Sequence, residues 1–189
     1  MFKVFYYGTK EIIDNIPPRS FKVSKNVIAY VSNLGDFIVW DKGDINEIQY
    51  QAPSWYACGE DFVAFVDDMN AFSIYYDGEV QQLLTYKPDM IKIKDNVLVY
   101  TDDFGALYVF FNGEVIRLNS FTPDKVLLDK DVVVFRDNYG YLKGMLRGEK
   151  MAFSKEIAID FDVFNSTVVY QPNKVKWIVF NEGKYYNYP

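Results

Sequence analysis

The stretch Lys87–Thr122, KPDMIKIKDNVLVYTDDFGALYVFFNGEVIRLNSFT, contains the pattern that the rest of the chain repeats. It reads as four short apolar segments separated by three turn signals, and each segment has the length and composition of a β-strand. Related stretches precede and follow it along the chain of 189 residues. An internal repeat of this size predicts an array in which each copy is one supersecondary unit.

The repeat has a period of 35 residues, without insertion or deletion. It is visible in three columns of equivalent positions, which hold an aromatic residue, a glycine and a turn-forming Asn or Asp. The columns are Tyr30, Phe65, Tyr100, Phe135 and Tyr170; Gly8, Gly43, Gly78, Gly113, Gly148 and Gly183; and Asn33, Asp68, Asp103, Asn138 and Asn173. Because the whole chain has 11 glycines, a column built of six of them is not a chance arrangement.

Each column has a physical interpretation. Pairs such as Asn112-Gly113 between two apolar runs supply the positive φ angles of a type I′ hairpin turn. The Asn/Asp column predicts a second hairpin with a slightly longer loop. A further column of prolines suits the entry to a first strand, since proline cannot donate to a β-ladder. Its members are Pro18, Pro53, Pro88 and Pro123.

The four segments of a repeat differ in their burial pattern. The first alternates apolar and polar residues, as in Ile91-Lys92-Ile93, whereas the second, as in Val97–Tyr100, is apolar on both faces. The third is nearly as apolar, and the fourth is the most polar, as an outer edge strand would be. A four-stranded antiparallel unit that is covered on both faces and repeated in tandem predicts a propeller blade.

The repeat pattern resembles the TolB/WD40-like β-propeller superfamily over nearly the whole chain. A Trp-Asp dipeptide occurs once, at Trp40-Asp41, and does not recur in the other repeats. The structural histidine of true WD40 repeats is absent, and the 35-residue unit is shorter than the usual length of about 40–45 residues. The resemblance therefore implies a fold and says little about activity.

We predict an all-β fold, a β-propeller of four-stranded antiparallel blades with five full blades plus an N-terminal half blade, forming a single repeat domain over residues 1–189. The half blade is assigned to residues 1–16, and the blades to about 17–51, 52–86, 87–121, 122–156 and 157–189. Three explanations of the half blade remain open. The explanation that we favour is that the chain is a portion of a longer repeat protein. The second is that the hairpin caps the first or last blade as an extra edge, and the third is that two chains complete each other.

Composition restricts the classes of function. A net charge of −6 with dispersed lysines argues against nucleic acid or an anionic membrane as partner, and no segment is long and apolar enough for membrane insertion. The absence of histidine removes Ser-His-Asp and Cys-His catalysis. No cofactor is predicted, and the lone Cys58 is interpreted as a buried small hydrophobe. The sequence leaves the compartment open: we expect an extracytoplasmic or periplasmic location if an N-terminal signal portion is missing, and a cytoplasmic one otherwise.

Acidic residues recur at the same loop in three of the repeats, as Asp67-Asp68, Asp102-Asp103 and Asp137. Carboxylates arranged in this way could bind calcium or a cationic ligand, with Asp68 and Asp103 as the metal candidates. They could equally accept hydrogen bonds from backbone N–H groups two residues further on. We favour the structural role and predict no metal site, because a repeated turn needs the same residue whatever the ligand.

Residues that break the repeat are the better candidates for binding, since the repeat itself cannot explain them. Trp55 and Tyr56 are expected near the end of the central channel, and Phe104 and Tyr139 in loops on the same face. Three basic residues are expected nearby: Arg19, Lys87 and Lys125. Trp40 and Trp177 occupy third-strand positions and are expected in the core.

These features favour a non-catalytic β-propeller interaction scaffold that binds a partner protein through its loop faces. The alternative is a carbohydrate-binding propeller that uses exposed Trp and Tyr side chains as stacking platforms, with a glycan as ligand. A third hypothesis is a carboxylate-dependent hydrolase with two facing acids. We predict that the chain is not an enzyme.

Overall fold

The computed structural model describes every residue from Met1 to Pro189 as 22 β-strands joined by turns and loops, without a helix. No helix is therefore available to cross a membrane. The chain forms two compact units, Met1–Pro88 and Asp89–Pro189.

The first unit contains a two-stranded hairpin and two four-stranded sheets, in which strands follow one another in chain order and every pairing is antiparallel. The hairpin, here called the half blade, consists of β1 (Phe2–Tyr6) and β2 (Thr9–Asp14). Blade 1 consists of β3 (Ser20–Val23), β4 (Val27–Val31), β5 (Phe37–Asp41) and β6 (Asp44–Gln49). Blade 2 consists of β7 (Trp55–Cys58), β8 (Phe62–Val66), β9 (Phe72–Tyr76) and β10 (Glu79–Leu84).

The second unit contains three sheets of the same design. Blade 3 consists of β11 (Ile91–Lys94), β12 (Val97–Thr101), β13 (Leu107–Phe111) and β14 (Glu114–Asn119). Blade 4 consists of β15 (Val126–Asp129), β16 (Val132–Arg136), β17 (Leu142–Leu146) and β18 (Glu149–Ala152). Blade 5 consists of β19 (Asp160–Phe164), β20 (Thr167–Asn173), β21 (Lys176–Asn181) and β22 (Lys184–Tyr188). The predicted fold, five full propeller blades plus an N-terminal half blade, is confirmed.

The glycine column forms the predicted hairpins between third and fourth strands. In blade 3, Phe111 pairs with Glu114, and the two residues between them have positive φ angles, 49° at Asn112 and 86° at Gly113. Positive φ at both central positions defines a type I′ turn, whose twist matches that of the flanking strands.

The second strand of each blade forms the centre of the core, as its two-sided apolar pattern predicted. In β4 all five residues are buried, and its side chains alternate between the two neighbouring sheets. Val27, Ala29 and Val31 pack against blade 2, whereas Ile28 and Tyr30 pack against the half blade. Burial of each such aliphatic side chain contributes about 1.5–3 kcal/mol, so contact between consecutive sheets is the main source of stability within each unit.

Two of the residues assigned to the core behave differently from one another. Trp40 is buried, with its ring 4.9 Å from that of Tyr6 in the half blade, as predicted. Trp177 in blade 5 is 39% exposed, so its assignment to the core was wrong. Its equivalents Leu107 and Leu142 are fully buried because another blade follows them in the same unit.

Cys58 lies half-buried in β7 beside the core shared by blades 1 and 2. Its Sγ donates a long hydrogen bond of 3.6 Å to the backbone oxygen of Lys22. Burial raises the pKa of the thiol to about 11, so the sulfur is protonated and weakly nucleophilic at neutral pH.

Gly144 occupies the centre of β17, where the equivalent positions in blades 1 and 3 hold Val39 and Val109. It pairs with Val134 in regular register, so the glycine does not create a bulge. A Cβ placed on Gly144 would collide with the carbonyl oxygen of Val133. The glycine therefore permits a close approach of two backbones that no other residue would allow.

We expect Gly144→Ala to destabilise the protein by about 2–3 kcal/mol or more, because the added methyl meets backbone rather than a movable side chain. Gly183→Ala is the matched control, since its turn has open space around the Cβ position and only the positive φ of 79° is unfavourable. The control should lose about 1 kcal/mol. Urea denaturation followed by tryptophan fluorescence measures both, and equal losses would contradict the steric explanation.

Candidate interaction face

The strand order places two kinds of connection at the same end of each sheet. Because the strands of a blade alternate in direction, the loop between second and third strands lies at the same end as the link that leads to the next blade. We call this end the loop face. Hydrogen bonds join the two kinds of connection: Thr122 Oγ1 in a link donates to the Gly105 oxygen at 3.1 Å, and the Ala158 N–H donates to the Gly140 oxygen at 2.8 Å.

In blades 3 and 4, one carboxylate holds the loop between the second and third strands in shape. In blade 3, Asp102 Oδ1 accepts hydrogen bonds from the backbone N–H groups of Phe104 and Ala106, at 3.0 and 2.8 Å. In blade 4, Asp137 Oδ1 accepts from those of Tyr139 and Tyr141, both at 2.9 Å. These are Asx turns, in which the side-chain oxygen accepts hydrogen bonds from backbone N–H groups further along the loop.

The first unit builds the same loops with a slightly different set of groups. In blade 1 the hydroxyl of Ser32 accepts from the N–H groups of Leu34, Gly35 and Asp36, at 3.1, 3.2 and 3.1 Å. In blade 2, Asp67 Oδ1 accepts from the Ala71 N–H at 2.7 Å. The loop conformation is therefore specified by one side-chain oxygen at equivalent positions.

A large apolar side chain projects into solvent from the tip of each of these loops. We call Leu34, Met69, Phe104 and Tyr139 the loop-tip residues; they are equivalent positions of the repeat and are 79–86% exposed. Phe104 and Tyr139 were expected on this face, whereas Leu34 and Met69 were missed. The 35-residue spacing could have identified them, because an apolar residue after the Asn/Asp column has no place in a simple solvated turn.

The metal candidates Asp68 and Asp103 directly follow the carboxylates that build the turns. Asp67 and Asp102 accept the backbone hydrogen bonds, which supports the structural interpretation of the acidic column. No group of three or more His, Cys, Asp or Glu side chains has an arrangement that could hold a metal ion.

Asp137 is buried and lies 2.7 Å from the ammonium group of Lys143 through its second carboxylate oxygen. Burial acts to raise the pKa of Asp137. The hydrogen bonds from Lys143 and from the N–H groups of Tyr141 and Tyr139 outweigh burial and hold the pKa below its ordinary value. The ionised form of Asp137 is therefore part of the folded loop.

The aromatic candidates Trp55 and Tyr56 begin β7 and are both half-buried. Tyr56 connects blades 1 and 2: its hydroxyl donates to Ser20 Oγ at 2.7 Å, and its ring centroid lies 5.2 Å from that of Phe37. The ring of Trp55 lies 6.5 Å from that of Phe72, so part of one face is covered.

The basic candidates differ in how much of their charge is available. Arg19 donates through Nε and Nη2 to the Asn33 carbonyl oxygen, at 3.1 and 2.8 Å, which fastens the loop of blade 1 to the start of β3. Lys125 joins blades 4 and 5, with Nζ 3.0 Å from Asp160 Oδ1 and 4.6 Å from the centroid of the Phe161 ring. Lys87 is exposed beside Pro88.

The chain is built of tandem four-stranded antiparallel sheets that pack face to face within each unit. This arrangement defines it as a β-propeller protein. Residues 1–186 match the family model described as a 10-bladed beta propeller domain, and the chain belongs to that family. No curated protein shows significant sequence similarity to it.

Solved structures with a similar backbone include human WBSCR16, with 8% identity over 84% of this chain and 60% of that one and a TM-score of 0.43. Prp20p from Saccharomyces cerevisiae, characterised for its binding to Gsp1p and histones, has 6% identity, coverages of 85% and 56%, and a TM-score of 0.46. The computationally designed protein Ika8 has 14% identity, coverages of 89% and 60%, and a TM-score of 0.41. The chain thus spans 56–60% of the length of these proteins.

We expect Asp137→Asn to lower the free energy of unfolding at pH 7 by about 1–2 kcal/mol, because the amide keeps an acceptor for the loop but loses the charge that pairs with Lys143. The folded-state pKa of Asp137 is depressed, so the carboxylate stabilises the fold above its unfolded pKa of about 3.9 and ceases to do so as the pH falls through the folded value. The difference between wild type and variant should therefore shrink in acid.

Urea denaturation of both proteins between pH 7 and pH 3 measures this difference. Asp124→Asn, which changes an exposed carboxylate in the same unit, is the control and should match the wild type throughout. A wild-type advantage that stays constant across the whole pH range would contradict the role assigned to the ionised carboxylate.

Proposed function

We propose that this chain is a non-catalytic interaction scaffold that binds a partner protein through its loop face. The observation that carries the proposal is the recurrence of an exposed apolar side chain at equivalent loop tips, at Leu34 and Met69 in the first unit and at Phe104 and Tyr139 in the second. Large apolar side chains presented to solvent at a defined face are typical of protein interaction sites.

The loops themselves do not require these apolar residues. Their shape depends on the side-chain oxygen of Ser32, Asp67, Asp102 or Asp137, and on backbone groups. The loop-tip residue contributes its backbone N–H in three of the four loops, which any residue but proline supplies. Burying such a side chain against a partner would contribute about 1.5–3 kcal/mol of binding free energy. Binding would therefore explain why apolar residues occupy these positions, which turn formation does not.

The chemical variety of the loop tips favours a protein over a carbohydrate. Aromatic rings stack on sugars, and Phe104 and Tyr139 could serve in that way, as could the uncovered part of Trp55. Leu34 and Met69 occupy equivalent positions and lack a flat ring, whereas Met, Phe and Tyr are all enriched at protein interfaces. The glycan hypothesis therefore ranks second, and loss of glycan binding in Trp55→Ala would be its test.

The hydrolase hypothesis depends on the recurring aspartates. Asp67, Asp102 and Asp137 are already used as acceptors for backbone N–H groups, which supports a structural rather than a catalytic role. The closer kinship with TolB/WD40-like propellers remains a hypothesis based on the repeat pattern.

Replacing Leu34, Met69, Phe104 and Tyr139 together by serine should abolish partner binding without unfolding the protein, because all four side chains project into solvent. The measurement is affinity capture from a lysate of the organism that encodes the protein, followed by binding of the captured protein in purified form. The double variant Phe104→Ser, Tyr139→Ser should weaken that purified interaction by at least about tenfold.

The matched control replaces equally apolar residues that are exposed on outer strands, Ile45, Val80 and Val115, by serine. It should bind like the wild type. Equal binding by the loop-tip variant and the wild type would exclude the loop face as the interaction site, and a wild-type protein that captures nothing specific would contradict the scaffold proposal itself.

A further inference from the structure

The last sheet of the chain has an uncovered apolar face. Blade 5 packs one side against blade 4 through residues that include Phe161, Val163 and Tyr170. The other side, here called the trailing face, carries apolar residues that are exposed or half-buried: Phe164, Val169, Trp177, Val179, Tyr186 and Tyr188.

The equivalent residues of other blades show what such a face requires. Val132, Val134 and Leu142 of blade 4 correspond to Thr167, Val169 and Trp177 of blade 5, and all three are completely buried beneath blade 5. The trailing face is thus the same surface that a following blade covers elsewhere in the unit. A face of this composition left to water is an interaction site.

Blade 1, the first four-stranded sheet of the chain, has a partly uncovered apolar face on the side where it contacts the half blade. Phe21 and Val23 in β3 are 53% and 59% exposed, because the half blade has no inner strands to cover them. The outward side of the half blade adds Phe5 and Ile12, which are also exposed. We call Phe5, Ile12, Phe21 and Val23 the leading face; Lys3 and Lys10 lie on the same side of the half blade.

The leading face has the same chemistry as the surface that already covers a blade inside this chain. Phe161 and Val163 of blade 5 occupy the positions of Phe21 and Val23, carry identical side chains, and are only 2% and 8% exposed where they pack on blade 4. A second copy of the chain therefore presents to the trailing face the same Phe-x-Val strand that covers blade 4 within this chain.

The position of the half blade is compatible with this contact. Neighbouring blades of a propeller diverge towards the periphery, so an outer hairpin fits between two blades whose inner strands meet directly. The inner strands of the trailing face would contact Phe21 and Val23, while Tyr186 and Tyr188 on its outermost strand would contact Phe5 and Ile12 on the half blade. Asp162 on the innermost strand and Lys184 on the outermost strand also lie on the trailing side.

From this match we infer that two copies of the chain assemble head to tail, with the trailing face of each packed on the leading face of the other. Such an interface is heterologous, and in a closed ring of two it covers the trailing and leading faces of both copies. Two chains hold ten complete blades and two half blades, and the family to which the chain belongs is described as a 10-bladed beta propeller domain. The inference concerns sheet faces and is independent of the loop-tip residues.

Light scattering coupled to size-exclusion chromatography tests the inference on the 189-residue chain. The wild type should have twice the 22.1 kDa of one chain. Val23→Lys on the leading face and Trp177→Lys on the trailing face should each yield monomers, since both side chains are partly exposed and their loss leaves the internal core intact. Tyr50→Lys and Val175→Lys, at exposed loop positions of the same two units, are the matched controls and should remain dimeric.

Mixing the two monomeric variants separates a head-to-tail contact from any other. Val23→Lys has an intact trailing face, and Trp177→Lys has an intact leading face. The mixture should therefore form a mixed dimer through one intact interface. Its dissociation constant should be at least tenfold higher than that of the wild-type dimer. A monomeric wild type, an open series of larger assemblies, dimers of either single-face variant alone, or a mixture that stays monomeric would each overturn the inference. The mixing result also guards against a variant that merely misfolds.

Discussion

Face-to-face packing between consecutive sheets is the interaction on which this structure depends. The second strands of blades 1 and 4, β4 and β16, are apolar on both faces, so their burial requires a sheet on either side. Each blade is thus a component whose stability resides largely in its contacts with the blades before and after it, as in other repeat proteins. Strand β4 illustrates this dependence, because its side chains contact both neighbouring sheets. Val27, Ala29 and Val31 pack against blade 2, and Ile28 and Tyr30 pack against the half blade.

This dependence separates stability from function within the repeat. The strands and the carboxylates that shape the loops are committed to the fold, and Asp102 and Asp137 show how one side chain satisfies two backbone N–H groups at once. The side chain at the loop-tip position takes no part in the turn, so its identity can vary between repeats. Phe104 and Tyr139 occupy such positions, on loops that the Asx turns hold in shape. Loops supported by a rigid scaffold are frequent sites of binding residues.

Departures from the repeat have local physical causes. Gly144 replaces the usual valine because two backbones approach too closely for a Cβ. Pro172 lies inside β20, where the pairing with β21 is irregular between Tyr170 and Asn173, so the missing N–H of proline falls where the ladder is already interrupted. Neither change disturbs the sheet order of its blade.

The 35-residue spacing determined by itself the number of strands, the type I′ turns and the two-sided burial of each second strand, because these follow from local turn chemistry and from alternation along a strand. Tertiary structure decided which repeated positions are covered. Trp177 and Leu142 are equivalent in sequence, yet one is exposed and the other buried, since burial depends on whether a neighbouring sheet is present. The same holds for Tyr56, which the sequence offered as a binding residue and the structure uses in the contact between blades 1 and 2. The repeat sequence specifies the strands and turns of each blade. The neighbouring sheets decide which faces of that blade are buried and which are exposed to solvent.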